Sequence, residues 1–276
     1  RSLLGGERKA ILLGNAAAHH ARASELLALA HWIGEQTGAS VGYLTEAANT
    51  VGAQWTGALP GLDGLNAGQM LQGGLKAVLL LNNEPEFDSA AGSAAKDALA
   101  RADMVVTLSP FRANLEFSDV LLPISPYTET SGTFVNAEGR VQGFHAVVKP
   151  RGETRPAWKV LRVLANMLGL PGFAFESSQD VLAQVRGAQD AAATHVAAER
   201  LSNAPAPRGA QAPDSAAAAG GVPVVASIYQ LDSIVRRATS LQLTADARGR
   251  AATRTKPTFD GPGGLRSVGL LEGVPA

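Results

Sequence analysis

The stretch KAVLLLNNEP, residues 76–85, decides the fold of the chain. Its apolar run has the length of a strand and no polar alternation, which is typical of a parallel strand buried on both faces. Asp88 is a predicted N-cap for an Ala-rich helix that extends to about Ala102, and two further strand-like runs follow, DMVVTLSPF at 103–111 and DVLLPISP at 119–126. Strands that alternate with helices predict an α/β fold with a parallel sheet and helices on its faces.

The same alternation extends toward the start of the chain. KAILLGN at 9–15 and SVGYL at 40–44 are predicted strands, with an amphipathic helix over 21–36 that ends near Gly38. Residues 45–75 are rich in glycine, and they are predicted to be mostly loop with a short helix near AGQMLQ. A loop of this length in a compact domain is usually functional or forms an interface.

The character of the chain changes after the helix predicted from Pro156 to Gly169. A further helix is predicted over 178–201, and the Ala/Pro/Gly/Ser-rich residues 202–221 indicate a linker. We therefore expect three parts: an α/β domain over 1–175 that is incomplete at its start, a helix and linker over 176–221, and a C-terminal tail over 222–276 that could be a docking segment. The chain begins with Arg1, which we interpret as a sign that it is a piece of a longer polypeptide.

Composition excludes several classes of function. The 276 residues include 24 Lys plus Arg and 24 Asp plus Glu, so there is no excess of cations for binding nucleic acid. The absence of cysteine excludes disulfides and cysteine-ligated iron–sulfur clusters in this segment, and only five histidines are present, so we expect no metal site. No apolar run approaches the roughly 18 residues that span a bilayer, so no direct membrane insertion is expected.

Polar residues at the ends of predicted strands are the first candidates for a site. NNEPEF places Asn82, Asn83, Glu84 and Glu86 at the end of the 76–85 strand, and Arg112 follows the next strand. Parallel sheets bind ligands at this end of their strands, although Asn and Pro also favour turns for local reasons. Ordinary turn chemistry for NNEPEF and a surface position for Arg112 are the favoured interpretations.

Two other patterns lack their full motif. ILLGNAAAHH joins a strand to a helix, but it has neither the G-x-G-x-x-G spacing nor the P-loop Lys and Ser/Thr, and nucleotide binding stays a weaker alternative. His19 and His20 are adjacent and would point in different directions on a helix, so they do not form a chelating pair. A Ser-His-acid triad lacks the G-x-S-x-G elbow. We therefore assign no catalytic residue.

TETSGTFVNAEGRVQGF, residues 128–144, is the densest polar stretch in the chain. TFVN and RVQGF flank AEG, which predicts a hairpin with a three-residue loop and Gly139 at a position of positive φ. Glu129, Asn136 and Arg140 could hydrogen-bond to one another or satisfy the backbone of the loop.

These residues also carry a family resemblance. SDVLLPISPYTETSGTFVNAEGRVQGF (118–144) and VVKPRGETRPAWKVLRVLANMLGLPGF (147–173) resemble the C-terminal part of the large iron–sulfur subunits of bacterial respiratory complex I, the NADH:quinone oxidoreductase. The first string is typical of the molybdopterin oxidoreductase superfamily, to which these subunits are related. IYQLDSIVRRATSLQLTADAR at 228–248 is also similar to the end of such subunits.

The resemblance implies a Rossmann-like, parallel-sheet domain of the molybdopterin oxidoreductase type that is structural and has no cofactor. It implies iron–sulfur clusters in a preceding part of the subunit, partners among the other subunits of the peripheral arm, and a place on the cytoplasmic face of the bacterial inner membrane, attached through the complex. The second hypothesis is a piece of an active, formate dehydrogenase-like molybdopterin enzyme. In that case a pterin pocket would be lined by Glu129, Thr130, Gly132, Asn136 and Arg140. A free-standing nucleotide-binding module is the third hypothesis.

Overall fold

Parallel strands form the framework of the chain, as the sequence predicts. The computed structural model describes residues 2–187, except 19, 21, 46, 62, 63 and 90, together with residues 228–252. Within these residues, β1 pairs with β2, β3–β4–β5 form a second parallel sheet, and β6 and β7 form a hairpin. The strands are β1 (Ala10–Leu13), β2 (Ser40–Tyr43), β3 (Ala77–Leu81), β4 (Met104–Ser109), β5 (Val120–Pro123), β6 (Gly132–Val135) and β7 (Val141–Phe144).

Most helices of the described residues are a few turns or less, and α3 and α8 are the long amphipathic ones that the sequence predicts. The helices are α1 (Ser2–Gly5), α2 (Asn15–Ala18), α3 (Ala23–Thr37), α4 (Thr50–Trp55), α5 (Ala67–Met70), α6 (Pro85–Asp88), α7 (Ala94–Leu99), α8 (Ala157–Met167), α9 (Ser178–Arg186), α10 (Ile228–Leu231), α11 (Ser233–Arg237), α12 (Thr239–Gln242) and α13 (Ala245–Ala252). In the part of the chain that the structure describes, none of these helices has the length and apolar character needed to cross a bilayer.

The described residues fall into two compact units. The first contains residues 2–58 and 134–142 and is built on the β1–β2 sheet, with α3 as the crossover between its two strands. The second contains residues 59–61, 64–133, 143–187 and 228–252 and is built on the β3–β4–β5 sheet. The sequence predicts the α/β class and the parallel pairing correctly, but the parallel strands divide between two sheets.

The core of the second unit lies around its central strand, β4. Val105 and Leu108 on β4 are almost fully buried, and so is Ile124 just after β5. Burial of these side chains is the main source of stability for the sheet, at about 1.5–3 kcal/mol for each large apolar side chain. The prediction that both faces of every strand are covered is correct for β4 but wrong for β3. On that strand Leu79 and Leu81 are exposed while Val78 and Leu80 are partly buried, so one face of β3 is uncovered.

Asp88 does not cap the long helix predicted after it. The segment forms two short helices, α6 and α7, and Asp88 is the last residue of α6. Its carboxylate accepts a hydrogen bond of 2.7 Å from the backbone N–H of Glu84, the residue that precedes α6. The Asp88 side chain therefore binds the backbone at the start of its own helix, α6. The prediction that Asp88 is the N-cap of a following helix to Ala102 is wrong.

Two further boundaries differ from the prediction. The glycine-rich stretch 45–75 contains α4, which the sequence did not indicate, as well as α5 at the predicted AGQMLQ position, where Asn66 and Gln69 form a capping box. The helix predicted over 178–201 ends at Arg186, because Gly187 adopts a positive φ of 71°. The linker predicted over 202–221 lies outside the described residues.

Candidate functional site

Polar residues gather at the carboxyl end of the β3–β4–β5 sheet. The N–H of Asn82 donates to the carbonyl of Leu108 and extends the ladder past β3, while Asn114 Nδ2 donates to the carbonyl of Asn83 at 2.9 Å. Asn82 and Asn114 have φ values of 48° and 61°, in the left-handed region that residues other than glycine seldom adopt. Backbone in sparsely populated regions is concentrated at functional sites, so this end of the sheet is the candidate site, and we call it the strand-end site.

The buried hydroxyl groups near this end of the sheet are satisfied within the chain. Thr107 and Ser118 share a hydrogen bond of 2.7 Å between their side-chain oxygens. Ser109 Oγ accepts from the N–H of Phe111 at 3.1 Å. These hydroxyls hold the loops after β4 in place, as buried polar groups require.

The centre of the site is the carboxylate of Glu84, which is only 6% exposed. Arg237, on α11, binds it through both guanidinium nitrogens, with Nη1 2.7 Å from Oε1 and Nη2 2.9 Å from Oε2. Arg236 Nη2 lies 3.3 Å from the same Oε1. This bidentate pair, with two parallel N–H···O hydrogen bonds, is the strongest arrangement that an arginine and a carboxylate can form.

Three more side chains complete the surroundings of the two arginines. Arg236 Nη1 lies 2.9 Å from Asp88 Oδ1. The guanidinium carbon of Arg236 lies 4.9 Å from the ring centre of Phe87, and that of Arg237 lies 4.2 Å from the ring centre of Phe111. Both distances are in the range of cation–π attraction. We call Glu84, Phe87, Asp88 and Phe111 the acidic edge.

The arginines determine the protonation of Glu84. Burial alone raises the pKa of this carboxyl group, but the hydrogen bonds and positive charges of Arg237 and Arg236 outweigh burial, and the net pKa lies below its usual value. Glu84 is therefore a carboxylate at neutral pH, and each of its oxygens is bound by a cation. It is poorly suited to act as a general base, because both oxygens already accept strong hydrogen bonds.

The other residues predicted at these strand ends have separate roles. Glu86 Oε2 lies 2.8 Å from Lys96 Nζ, which also lies 3.1 Å from Glu116 Oε2. The hydrogen bond that Lys96 donates to Glu86, and after it the one to Glu116, raises the pKa of Lys96. Arg112 is exposed, as its favoured interpretation predicts.

The hairpin after β6 is stabilised by Asn136. Its Oδ1 accepts from the N–H groups of Glu138 and Arg140, at 3.1 and 2.9 Å. The N–H of Gly139 donates to the carbonyl of Asn136, and Gly139 has a φ of 82°, so the predicted three-residue loop with a left-handed glycine is confirmed. The side chain of Asn136 thus satisfies the backbone of the loop.

Glu129, Thr130 and Gly132 of the predicted pterin pocket also have contacts inside the chain, whereas Arg140 is exposed. Glu129 Oε2 accepts from the N–H of Arg151 at 3.1 Å and from Thr154 Oγ1 at 3.4 Å, while Thr130 Oγ1 donates to the carbonyl of Ser131. Gly132 faces the ring of Phe144. Glu129, Thr130 and Gly132 belong to the second unit, and Asn136 and Arg140 belong to the first. The sequence left two roles open for Glu129, Asn136 and Arg140: hydrogen bonds to one another's side chains, or hydrogen bonds to the loop backbone. The observed bonds of Asn136 Oδ1 and Glu129 to backbone N–H groups are of the second kind.

Gly132→Ala is expected to destabilise the second unit by about 1–3 kcal/mol, the usual effect of overpacking. A Cβ at this position would lie 2.5 Å from Cζ of Phe144 and 2.8 Å from Cε1, so the ring would have to move. Chemical denaturation followed by circular dichroism measures the loss. Gly143→Ala is the matched control on β7, since its Cβ would meet only the carbonyl oxygen of Gly132 at 3.9 Å. Equal stability of the two variants would contradict the packing of Phe144 on Gly132.

Among the described residues, the strand–helix junction of the first unit is held by local hydrogen bonds. The carbonyl of Gly14 accepts from the N–H groups of Ala17 and Ala18, and the helix that follows β1 has four residues. His20 Nδ1 accepts from the N–H of Arg22 at 3.0 Å, and His19 lies outside the described residues. Across the described ranges, no group of three or more His, Asp or Glu side chains is placed to hold a metal ion.

Comparison with known proteins gives a consistent family. A sequence model described as molybdopterin oxidoreductase matches residues 2–167. The protein named "Probable oxidoreductase YjgC" of Bacillus subtilis is 32% identical over 133 residues, which cover 46% of this chain and 13% of the relative. The mitochondrial NADH-ubiquinone oxidoreductase 78 kDa subunit of Candida albicans is 54% identical over 52 residues, 19% of this chain and 7% of that subunit.

Formate dehydrogenase-like proteins are also among the relatives. One from Staphylococcus aureus is 49% identical over 53 residues, which cover 19% of this chain and 5% of the relative. The matched stretches thus span 13% or less of the length of these curated relatives.

Proposed function

Because this chain belongs to the molybdopterin oxidoreductase family, we propose that it is a structural, cofactor-free domain of a complex I-type NADH:quinone oxidoreductase subunit. The sequence likeness to the Candida albicans 78 kDa subunit, at 54% identity over 52 residues, supports this branch of the family. The domain stabilises the subunit, and catalysis takes place on other parts of the protein.

The engaged side chains of the predicted pterin pocket are the observation that carries the proposal. A pterin with phosphate groups needs several converging donors and acceptors that are free to bind it. Here Asn136 Oδ1 already accepts two backbone hydrogen bonds, Glu129 Oε2 accepts two, and the space beside Gly132 is filled by Phe144. These residues do not fit a pterin site.

The site at the carboxyl end of the β3–β4–β5 sheet supports the same proposal. Both oxygens of Glu84 are bound by arginines of the same chain, so this carboxylate is not free to bind a cofactor. The carboxylates of Glu84 and Asp88 offset the charges of Arg236 and Arg237, so the site carries no excess of positive charge for the phosphates of a dinucleotide. The wider subunit, as we propose it, carries its iron–sulfur clusters in a preceding segment and joins the peripheral arm on the cytoplasmic face of a bacterial inner membrane.

A purification from the native host tests the proposal. The full-length protein, tagged and isolated in mild detergent, is expected to bring with it subunits that oxidise NADH and reduce a quinone. The assay is NADH consumption with and without a quinone-site inhibitor. Purification with formate oxidation and without NADH oxidation would contradict the proposal.

A piece of a formate dehydrogenase-like molybdopterin enzyme is the second candidate. The relative from Staphylococcus aureus, 49% identical over 53 residues, favours it. The same purification separates the two functions, since this candidate predicts formate-dependent reduction of an acceptor dye by the isolated protein.

A further inference from the structure

We propose that the acidic edge is a receptor for paired arginine side chains, and that the tail segment, residues 228–248, is its occupant in cis. The proposal holds for either function above, because it concerns only contacts between the tail segment and the second unit.

The charges of receptor and occupant match. Glu84 and Asp88 provide two carboxylates, and Arg236 and Arg237 provide two guanidinium groups within 2.7–3.3 Å of them. The Arg236 side chain is only 7% exposed, so the contact is desolvated and not a solvent-separated surface pair. The rings of Phe87 and Phe111 add a cation–π contact for each arginine.

The acidic edge selects arginine over lysine. The two oxygens of Glu84 accept two parallel hydrogen bonds from Arg237, which the single ammonium group of lysine cannot reproduce. A planar guanidinium also stacks on a phenyl ring, and that of Arg237 lies 4.2 Å from the centre of Phe111. The partner chemistry is therefore a pair of adjacent arginines.

The tail segment is organised to present both arginines. Asp232 Oδ1 accepts from the N–H groups of Ile234 and Val235 and begins α11. Gln242 Nε2 donates to the carbonyls of Tyr229 and Val235, which ties α10, α11 and α12 together. Helices of four or five residues are not stable alone in water, so the segment depends on its contacts with the acidic edge.

The sequence between the two parts makes docking an intramolecular binding event. Forty residues, 188–227, separate the end of the first described range from the tail segment, and their composition is rich in Ala, Pro and Gly. A long tether of that composition gives a moderate effective concentration, so the contacts themselves must supply the affinity.

A cleavable full-length chain tests the proposal. A protease site is inserted between residues 210 and 211, and the folded protein is cut and passed over a size-exclusion column. We expect the cut tail to co-elute with the rest of the chain in the parent protein. Separation of the parent tail would overturn the proposal.

Competition measures the contribution of the arginines. A labelled peptide of residues 227–252 is titrated against the cut protein, where it competes with the cut tail for the acidic edge. Its binding is followed by fluorescence anisotropy. Arg237→Ala in the peptide is expected to weaken binding about 30-fold or more, because it leaves the buried carboxylate of Glu84 without its two hydrogen bonds from Arg237. Arg248→Ala is the matched control, because it removes an exposed cation of the same segment, and it is expected to bind like the parent peptide.

Folding of the receptor does not confuse this test, because the changes are in the peptide alone. Arg237→Lys separates charge from geometry: we expect it to bind more weakly than the parent peptide, since one ammonium group cannot replace the two-pronged pair. Equal binding by the parent, Arg237→Ala and Arg237→Lys peptides would overturn the assignment of the acidic edge as an arginine receptor.

Discussion

Glu84→Gln is expected to lower the free energy of unfolding of the second unit by about 3–5 kcal/mol, the usual loss when one partner of a buried ion pair is removed. The amide keeps one acceptor oxygen and places a donor NH2 group opposite the other nitrogen of Arg237, so one of the two hydrogen bonds is lost. Arg236 then keeps its charge in a buried position with only Asp88 as its anion. Urea denaturation followed by circular dichroism at neutral pH measures the change.

Glu153→Gln is the matched control for this prediction. Glu153 lies in an exposed turn of the second unit, so its charge is expected to change stability by no more than about 0.5 kcal/mol. If both variants lost the same stability, the pairing of Glu84 with the tail arginines would not be a stabilising contact.

Acid is expected to produce the same loss in the parent protein. The net pKa of Glu84 lies below its usual value, since the arginines outweigh the effect of burial, so its contribution to stability is complete above the pKa of the unfolded chain. That value is about 4.3 for a glutamate, and the contribution declines as the pH falls from there through the lower pKa of the folded state. The difference in free energy of unfolding between the parent and Glu84→Gln is therefore expected to shrink as the pH falls from neutral to pH 3. Urea denaturation at a series of pH values measures it.

Leu108→Ala is the second large effect, with an expected loss of about 2–5 kcal/mol for a fully buried leucine. Leu108 is 0% exposed on the central strand, and its backbone carbonyl also receives the N–H of Asn82. Truncation leaves a cavity in the core directly beneath the strand-end site. The loss is measured from the shift of the urea midpoint between the parent and the variant, provided that both have the same m-value.

Leu81→Ala is the control, since Leu81 is the register partner of Leu108 on β3 and is 45% exposed. The same chemical change at that position is expected to cost clearly less. A comparable loss at both positions would show that β4 is not the centre of this core.

Local signals made the framework of the fold predictable. Apolar runs at 76–85 and 103–111 became β3 and β4, and the amphipathic spacing of 21–36 became α3. Gly139 was predictable because a three-residue hairpin loop needs a left-handed residue at that position. These features depend on neighbours within a few residues, which the sequence shows directly.

The sequence indicates the position of Glu84 in the strand-end site but not the residues that bind it. Glu84 could be placed at the end of a parallel strand, but its partner Arg237 is 153 residues away along the chain. The sequence around Arg236 and Arg237 shows two adjacent cations without indicating what they face. Asp88 was mistaken for a helix cap of the following segment, because its contacts with the N–H of Glu84 and with Arg236 are set by tertiary packing.

The polar hairpin shows why residue type alone is a weak guide to a site. Glu129, Asn136 and Arg140 are close in sequence and have the chemistry of a binding pocket. In the folded chain, Asn136 binds the loop backbone and Glu129 binds Arg151 and Thr154. Hydrogen bonds to the backbone depend on the turn geometry, which was only partly visible in the sequence.

The molybdenum and pterin content of the native full-length protein tests the central proposal most directly. Metal analysis by plasma mass spectrometry and fluorescence of the oxidised pterin are measured on the same purified sample. We predict molybdenum and pterin at background levels in a sample that contains iron from clusters elsewhere in the subunit. Stoichiometric molybdenum and pterin would contradict a cofactor-free domain.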